Sequence, residues 1–255
     1  MPQPANMRHR LCHNSSGCGA DALLLATCVM SDADKRAAAE AAVAEIEDGM
    51  LVGLGTGSTA AHAIAALGRR TVEGLRVRTV ATSLASAEQA RGLGIPVLDF
   101  ADIPAVDLTI DGTDEIDDRL RAVKGAGGAM LREKAVAAAS ARMVVIADGS
   151  KRVARLGAAK LPVEVLPFAR AFVLGRLASL SQSIELRGGG GYRTDNGNLV
   201  ADLSGWEASD AERLAAELQA IPGVVGHGLF LTEVSAAYIA KADVVARLER
   251  DGSNG

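Results

Sequence analysis

From residue 31 onward, apolar positions fall into two alternating periods. Helical spacing appears over 31–48, 58–70, 86–94 and 129–141. Between these stretches, short apolar runs read as strands over 50–55, 75–83, 95–100, 106–112 and 142–150. Ser31 is placed to cap the first helix, with Asp34 three residues on, and Gly94 closes the third. Strands alternating with helices predict βαβ units and a parallel sheet, the α/β class.

After residue 150 the pattern changes. Residues 161–169 read as a strand with Pro162 and Pro167 near its ends, which suits a sheet edge. A helix follows over 170–182. Gly188–Gly191 and Asp195-Asn196-Gly197-Asn198 bracket a hairpin-like region. Then come a strand over 198–205, a helix over 208–221 capped by Ser209, and a strand over 224–231. This is a smaller α+β unit. A last strand, helix and tail are expected to return to the first unit, with a disordered end over 251–255.

Composition narrows the function. With 49% hydrophobic residues over 255 positions, the chain can bury a sizeable core, as one large domain or two small ones. A net charge of -4 with no long basic run argues against nucleic acid, and 3% aromatics argue against a base-stacking platform. No stretch reaches the ~18 apolar residues of a membrane helix. Cys12, Cys18 and Cys28 all precede the periodic region, so neither a disulfide framework nor a cysteine metal site is expected within it. His9, His13, His62 and His227 lack metal-ligand spacing. Residues 1–29 show no clear period. Arg8 and Arg10 precede an apolar run over 22–26, shorter than the roughly 7–15 residues of a secretory signal. A disordered extension, or a true start at Met30, is the expectation.

Three segments carry chemistry. Gly53-Leu54-Gly55-Thr56-Gly57-Ser58-Thr59 joins a strand to a helix, so free N–H groups and two hydroxyls converge as in a phosphate cradle. A dinucleotide site is the rival, but the spacing is G-x-G-x-G and no acidic residue ends the second strand. A structural turn is the plain alternative. Asp111-Gly112-Thr113-Asp114-Glu115-Ile116-Asp117 follows an apolar strand, where carboxylates can exchange protons with sugar oxygens. A metal site, a phosphatase-like motif lacking its nucleophile at Thr109, and a solvated turn are the alternatives. Lys124-Gly125-Ala126-Gly127-Gly128 offers a cation and a row of backbone donors for an oxyanion. Glu133 in the next helix suits the helix dipole, or an ion pair. Lys151 is either a phosphate cation or a surface lysine.

Together these segments resemble type A ribose-5-phosphate isomerase. GLGTGSTA, DGTDEID, KGAGGAMLREK, IADGSK, LPVEVLPFA, TDNGN and PGVVGHGLF occur in the family's order, over residues 31 to 245. The resemblance implies interconversion of ribose 5-phosphate and ribulose 5-phosphate in the pentose phosphate pathway, by a cytoplasmic homodimer that uses no metal or other cofactor. It implies a Rossmann-like domain over 30–157 plus 227–250 and a ferredoxin-like domain over 158–226. It assigns substrate and phosphate binding to Thr56, Gly57, Ser58 and Thr59, with Lys151 and Lys35 as further contacts. It sets Asp111, Gly112, Thr113, Asp114, Lys124, Gly125, Ala126 and Gly127 around the sugar. Glu133 becomes the base that moves a proton between C1 and C2. Asp111 is the expected ring-opening carboxylate, with Asp114 the alternative. Ala126 stands where the family usually has glycine, and a position requiring φ > 0 would tolerate it badly. A non-catalytic sugar-phosphate sensor and an acyl-CoA transferase-like enzyme share the fold class. The intact Lys124 and Glu133 set separates the chain from the sensor. The transferase would require a nucleophilic glutamate in another context.

Overall fold

A computed structural model describes residues 32–242 and 244–250. The expectations for residues 1–29, for Ser31 as a cap and for residues 251–255 lie outside them.

The first helix, α1, runs over 32–43 and buries Ala38, Ala39, Ala42 and Val43. It stops short of residue 48. Arg70 Nη1 donates to the carbonyls of Val43 and Ile46, at 2.5 and 2.9 Å, and so ends the helix from outside. There follow β1 (Leu51–Leu54), α2 (Ser58–Val72), β2 (Arg78–Ala81), α3 (Leu84–Gly92) and β3 (Val106–Gly112). The expected strand over 95–100 reduces to one bridge, Val97 to Thr79, because Pro96 lacks a donor and Asp99 turns the chain away. The acidic segment folds into a small hairpin, β4 (Glu115–Ile116) and β5 (Ala122–Val123). Next come α4 (Met130–Ala138) and β6 (Ser140–Asp148).

The second unit contains β7 (Leu161–Val165), α5 (Arg170–Leu177), β8 (Ser183–Leu186), β9 (Leu199–Ser204), α6 (Ala211–Gln219) and β10 (Val224–His227). Its four antiparallel strands are ordered β10-β7-β9-β8, the split βαβ arrangement of ferredoxin-like folds. β7 is therefore internal, not an edge. Pro162 is tolerated because it lies past the last β10 pair, His227 to Val163, so no ladder bond requires its N–H. β8 has no counterpart in the sequence reading, and the glycine run and the Asp195–Asn198 turn both lie in the β8–β9 connection. Asp210, not Ser209, caps α6, accepting the Arg213 N–H at 3.2 Å.

The expected strand over 224–231 breaks at Gly228. Its second half, β11 (Leu229–Phe230), leaves for a three-stranded sheet ordered β11-β5-β4. A side chain at 228 would meet the Lys124 carbonyl at 2.1 Å, so only glycine fits the crossing. β12 (Ala236–Lys241) and β13 (Val244–Glu249) then join the first sheet, where a strand and a helix were expected.

That sheet is ordered β13-β12-β6-β3-β1-β2 and is parallel except for β13. The chain leaves β1 in one direction to β2 and returns on its other side as β3. Ligands of open α/β sheets bind at such a reversal, beyond the carboxyl ends of the strands. The loop after β1 and the acidic end of β3 meet there.

Candidate active site

At that reversal lies a cleft of about 260 Å³. Lys35, Thr56, Gly57, Ser58, Thr59, Gly112, Thr113, Asp114, Lys124, Gly125, Ala126, Gly127, Glu133 and Lys151 line it. The expected residues thus converge on one cleft, except Asp111, which lies beneath its floor with no exposure.

On the β1 side, the three glycines have different reasons to be there. A side chain at Gly53 would strike Thr109 Oγ1 at 2.0 Å, and one at Gly55 would strike Asp111 Oδ1 at 2.1 Å. Both admit neighbouring side chains, not a ligand. Gly57 has φ 106° and turns the chain into α2. No side chain caps α2, which leaves the N–H groups of its first turn directed at the cleft. Thr56 Oγ1 contacts Thr82 Oγ1 at 2.7 Å.

The acidic segment divides in two. Glu115 is structural, since its two oxygens accept the N–H groups of Gly157 and Ala159 at 2.8 and 2.7 Å. Asp117 pairs with Arg121 at 2.8 Å. Asp111 and Asp114 serve the cleft. Asp114 accepts the Ala126 N–H at 2.9 Å and so ties the acidic hairpin to the Lys–Gly loop.

At the floor of the cleft, Lys124 lies between two carboxylates. Its Nζ is 2.9 Å from Asp111 Oδ2 and 3.3 Å from Glu133 Oε2, and it donates to the Gly112 carbonyl at 2.5 Å. All three side chains are at most 3% exposed. Burial opposes the lysine's charge, but the carboxylates of Asp111 and Glu133 more than offset this and hold its pKa above the usual value. For Glu133, burial and then the neighbouring Asp111 push the pKa up to about 8, against the pull of Lys124. Burial raises Asp111 too, opposed by Lys124 and by the Thr56 and Gly112 amides, which donate to Oδ1 at 3.0 and 2.7 Å. One cation cannot balance two buried carboxylates, so the pair retains a proton near neutrality.

Ala126 takes a negative φ. Gly125 and Gly128 carry the left-handed turns of this loop, at 107° and 80°. The alanine therefore fits without backbone strain.

Sequence reasoning missed what holds the Lys–Gly loop. Arg187 donates to the carbonyls of Gly125 and Ala126 at 3.2 and 3.0 Å, while Asp202 grips it at 2.9 and 2.5 Å. Tyr192 Oη donates to the Gly127 carbonyl at 3.3 Å. Phe230 places its ring centroid 5.4 Å from Lys124 Nζ. Arg187 opens a glycine run and Phe230 lies within a short apolar one, and neither pattern points at a site more than 60 residues away.

Residues 78–244 match the family described as ribose 5-phosphate isomerase A (phosphoriboisomerase A). The chain belongs to the ribose 5-phosphate isomerase A family. It is 51% identical to ribose-5-phosphate isomerase A of Sphingopyxis alaskensis over 215 residues, 84% of this chain and 94% of that protein. The Agrobacterium fabrum enzyme is 49% identical over 80% of this chain and 91% of its own length. Among solved structures, ribose 5-phosphate isomerase A from Neisseria gonorrhoeae superposes with a TM-score of 0.82 at 36% identity, covering 86% of this chain and 97% of that one. A D-ribose-5-phosphate isomerase in complex with phospho-erythronic acid has the same TM-score at 32% identity, covering 86% and 99%. The family's α/β fold, with a separate antiparallel sheet, is the fold of this chain.

Proposed function

We propose that Glu133 carries the proton in the reaction of this chain, and that Lys124 with the 125–127 amides holds the charge that develops. The chain is an aldose–ketose isomerase that interconverts D-ribose 5-phosphate and D-ribulose 5-phosphate, within the pentose phosphate pathway. The observation that carries the assignment is the Lys124–Glu133 pair buried at the cleft floor, with Glu133 raised to about 8. A base works best with a pKa near the working pH, because it must both accept and return the proton. Glu133 takes the C2 proton of the open-chain aldose and delivers it to C1, while the hydroxyl proton passes from O2 to O1 of the enediolate. The enediolate oxygens then face the Lys124 ammonium and the loop amides. The phosphate is held by Ser58, Thr59 and the α2 amides, with Lys35 and Lys151, remote from the reacting carbons. Asp114 lines the cleft whereas Asp111 lies beneath it, so ring opening falls to Asp114. Asp111, enclosed below, positions Lys124.

A relative's structure holds phospho-erythronic acid, a four-carbon phosphorylated acid. The same compound is expected to compete with ribose 5-phosphate here. A coupled assay with ribose 5-phosphate tests the reading, and absence of turnover rejects it.

The division into 30–157 plus 227–250 and 158–226 is supported by the return of β11, β12 and β13 to the first unit. A cytoplasmic homodimer completes the proposal. Leu166, Phe168 and Phe172 form an apolar surface on the smaller unit, with Phe168 97% exposed. No helix among the described residues is long and apolar enough to cross a membrane. The phosphorylated substrate is membrane-impermeant, which suits the cytoplasm. Sedimentation of a monomer at micromolar concentration would reject the dimer.

A further inference from the structure

Glu164 lies on the internal strand β7 with no exposure, a costly place for a carboxylate without strong partners. Its Oε1 accepts from Thr194 Oγ1 at 2.8 Å, Asn198 Nδ2 at 2.9 Å and Asn196 Nδ2 at 3.1 Å. Its Oε2 is buried without a hydrogen-bond partner. Thr194 Oγ1 accepts the N–H groups of Asn196 and Asn198, both at 3.2 Å, and the Thr194 N–H donates to the Asn198 carbonyl at 2.9 Å. The Thr194–Asn198 turn is thus closed on itself and pinned to the sheet by one carboxylate.

What the turn presents outward reaches the other unit. Asp195 Oδ2 accepts the Leu84 N–H at 2.7 Å, one of the free donors at the start of α3. Arg132 Nε donates to Asn196 Oδ1 at 2.8 Å, and its Nη2 donates to the Asp195 carbonyl at 3.0 Å. Arg132 immediately precedes Glu133. α4 is nine residues long, and its N-cap, Ala129, offers no side-chain hydrogen bond, so no cap fixes its first turn. Lys134 braces its other side, donating to the Leu229 carbonyl and pairing with Glu233 at 3.0 Å. A partly exposed ion pair contributes little by charge alone. Two directed bonds from a guanidinium onto a turn that cannot relax fix geometry instead.

We infer that the Thr194–Asn198 turn is a clamp that positions the catalytic base: it holds Arg132, and through Arg132 sets the first turn of α4 and the Glu133 carboxylate. Glu164 is the anchor of the clamp, and Asp195 and Asn196 are its jaws. The inference rests on Glu133 as the base. It predicts a defect in proton transfer with substrate binding preserved, because Arg132 and the turn do not line the cleft.

The test uses the full chain with ribose 5-phosphate carrying hydrogen or deuterium at C2. Arg132→Ala and Asn196→Ala are each expected to lower kcat about tenfold, since misplacement by ~1 Å costs up to 10²-fold. KM should stay within twofold, and the isotope effect on kcat should rise as proton transfer becomes slower than the other steps. The double variant should be no slower than the slower single, because Arg132→Ala already removes the Arg132–Asn196 bond that Asn196→Ala breaks. Arg132→Lys should recover part of the loss, and it serves in place of Arg132→Ala if that variant does not fold. Unchanged kcat, losses that multiply in the double variant, or a fall in kcat with an unchanged isotope effect would overturn the clamp. Glu133→Gln is measured alongside. If it keeps turnover, the base assignment fails and the clamp with it. If it is inactive while the clamp variants run at the full rate, the clamp alone fails.

Discussion

Two glycine loops face each other across the cleft, and opposite means hold them. The Gly53–Thr59 loop is fixed from below by its own sheet, where Gly53 admits Thr109 and Gly55 admits Asp111. The Lys124–Gly128 loop is fixed from outside, by Arg187 and Tyr192 of the smaller unit and by Asp114 of the hairpin. Both supports are distant in sequence, but the first comes from strands of the same sheet and the second largely from the smaller unit. Phosphate binding by the first is therefore expected to survive disturbances of the smaller unit, and the geometry of the second is not.

The largest effect is expected at Glu133, the proposed base. Glu133→Gln keeps the shape but cannot accept a proton, and should lower kcat by about 10²–10⁴-fold while KM moves little. A variant within threefold of the parent kcat would mean that another residue is the base. Next comes Gly55→Ala. Its methyl would lie 2.1 Å from Asp111 Oδ1 and 2.5 Å from Asp111 Cα. Overpacking of this kind costs roughly 1–3 kcal/mol, measurable by urea unfolding. Gly127→Ala is the counterpart on the other loop. Its methyl meets only Thr56 Cγ2, at 3.2 Å, and should raise KM with little loss of stability. Equal unfolding costs for the two would erase the contrast.

A smaller effect tests the external support. Arg187→Met combined with Asp202→Asn, which leaves no buried charge unpaired, should lower kcat/KM about tenfold while Gly53–Thr59 keeps inorganic phosphate affinity unchanged. Weakened phosphate binding would show that the two loops share one support.

Acidity gives the smallest shift. Glu133 must be ionised to act, so kcat/KM should climb as pH rises towards about 8. Stability should move the opposite way. The folded state binds a proton at Glu133 that the unfolded chain releases near its ordinary carboxylate pKa, so stability is full below that value and declines as pH rises to about 8. Glu133→Gln should flatten that decline in Tm. Dialysis against EDTA should change nothing, since Lys124 and backbone amides supply the positive charge.

Much of the parallel sheet was legible because its strands are apolar runs set between helical periods, and β3 appears with the limits expected of it. The cleft residues were legible for the same reason, since they cluster at strand ends. Asp111 was found by type but not by depth. Nothing local tells that Gly55 leaves room for its carboxylate beneath the floor. The smaller unit was less readable. β8 alternates half-buried and exposed residues too briefly to register, and Pro162 looked like an edge residue because the end of β10 cannot be seen from its own sequence. The roles of Arg187, Tyr192 and Glu164 depend on tertiary contacts, which leave no period in the chain.

Gly228 has a last consequence, for native-state hydrogen exchange. Its N–H donates to the Pro162 carbonyl and its carbonyl accepts the Lys124 N–H, both at 2.8 Å. One residue thus splices the ferredoxin-like sheet to the strand that leads into Lys124. Transient opening of β7 is expected to free Gly228 and with it the Lys124 amide, so that this amide should exchange with the smaller sheet.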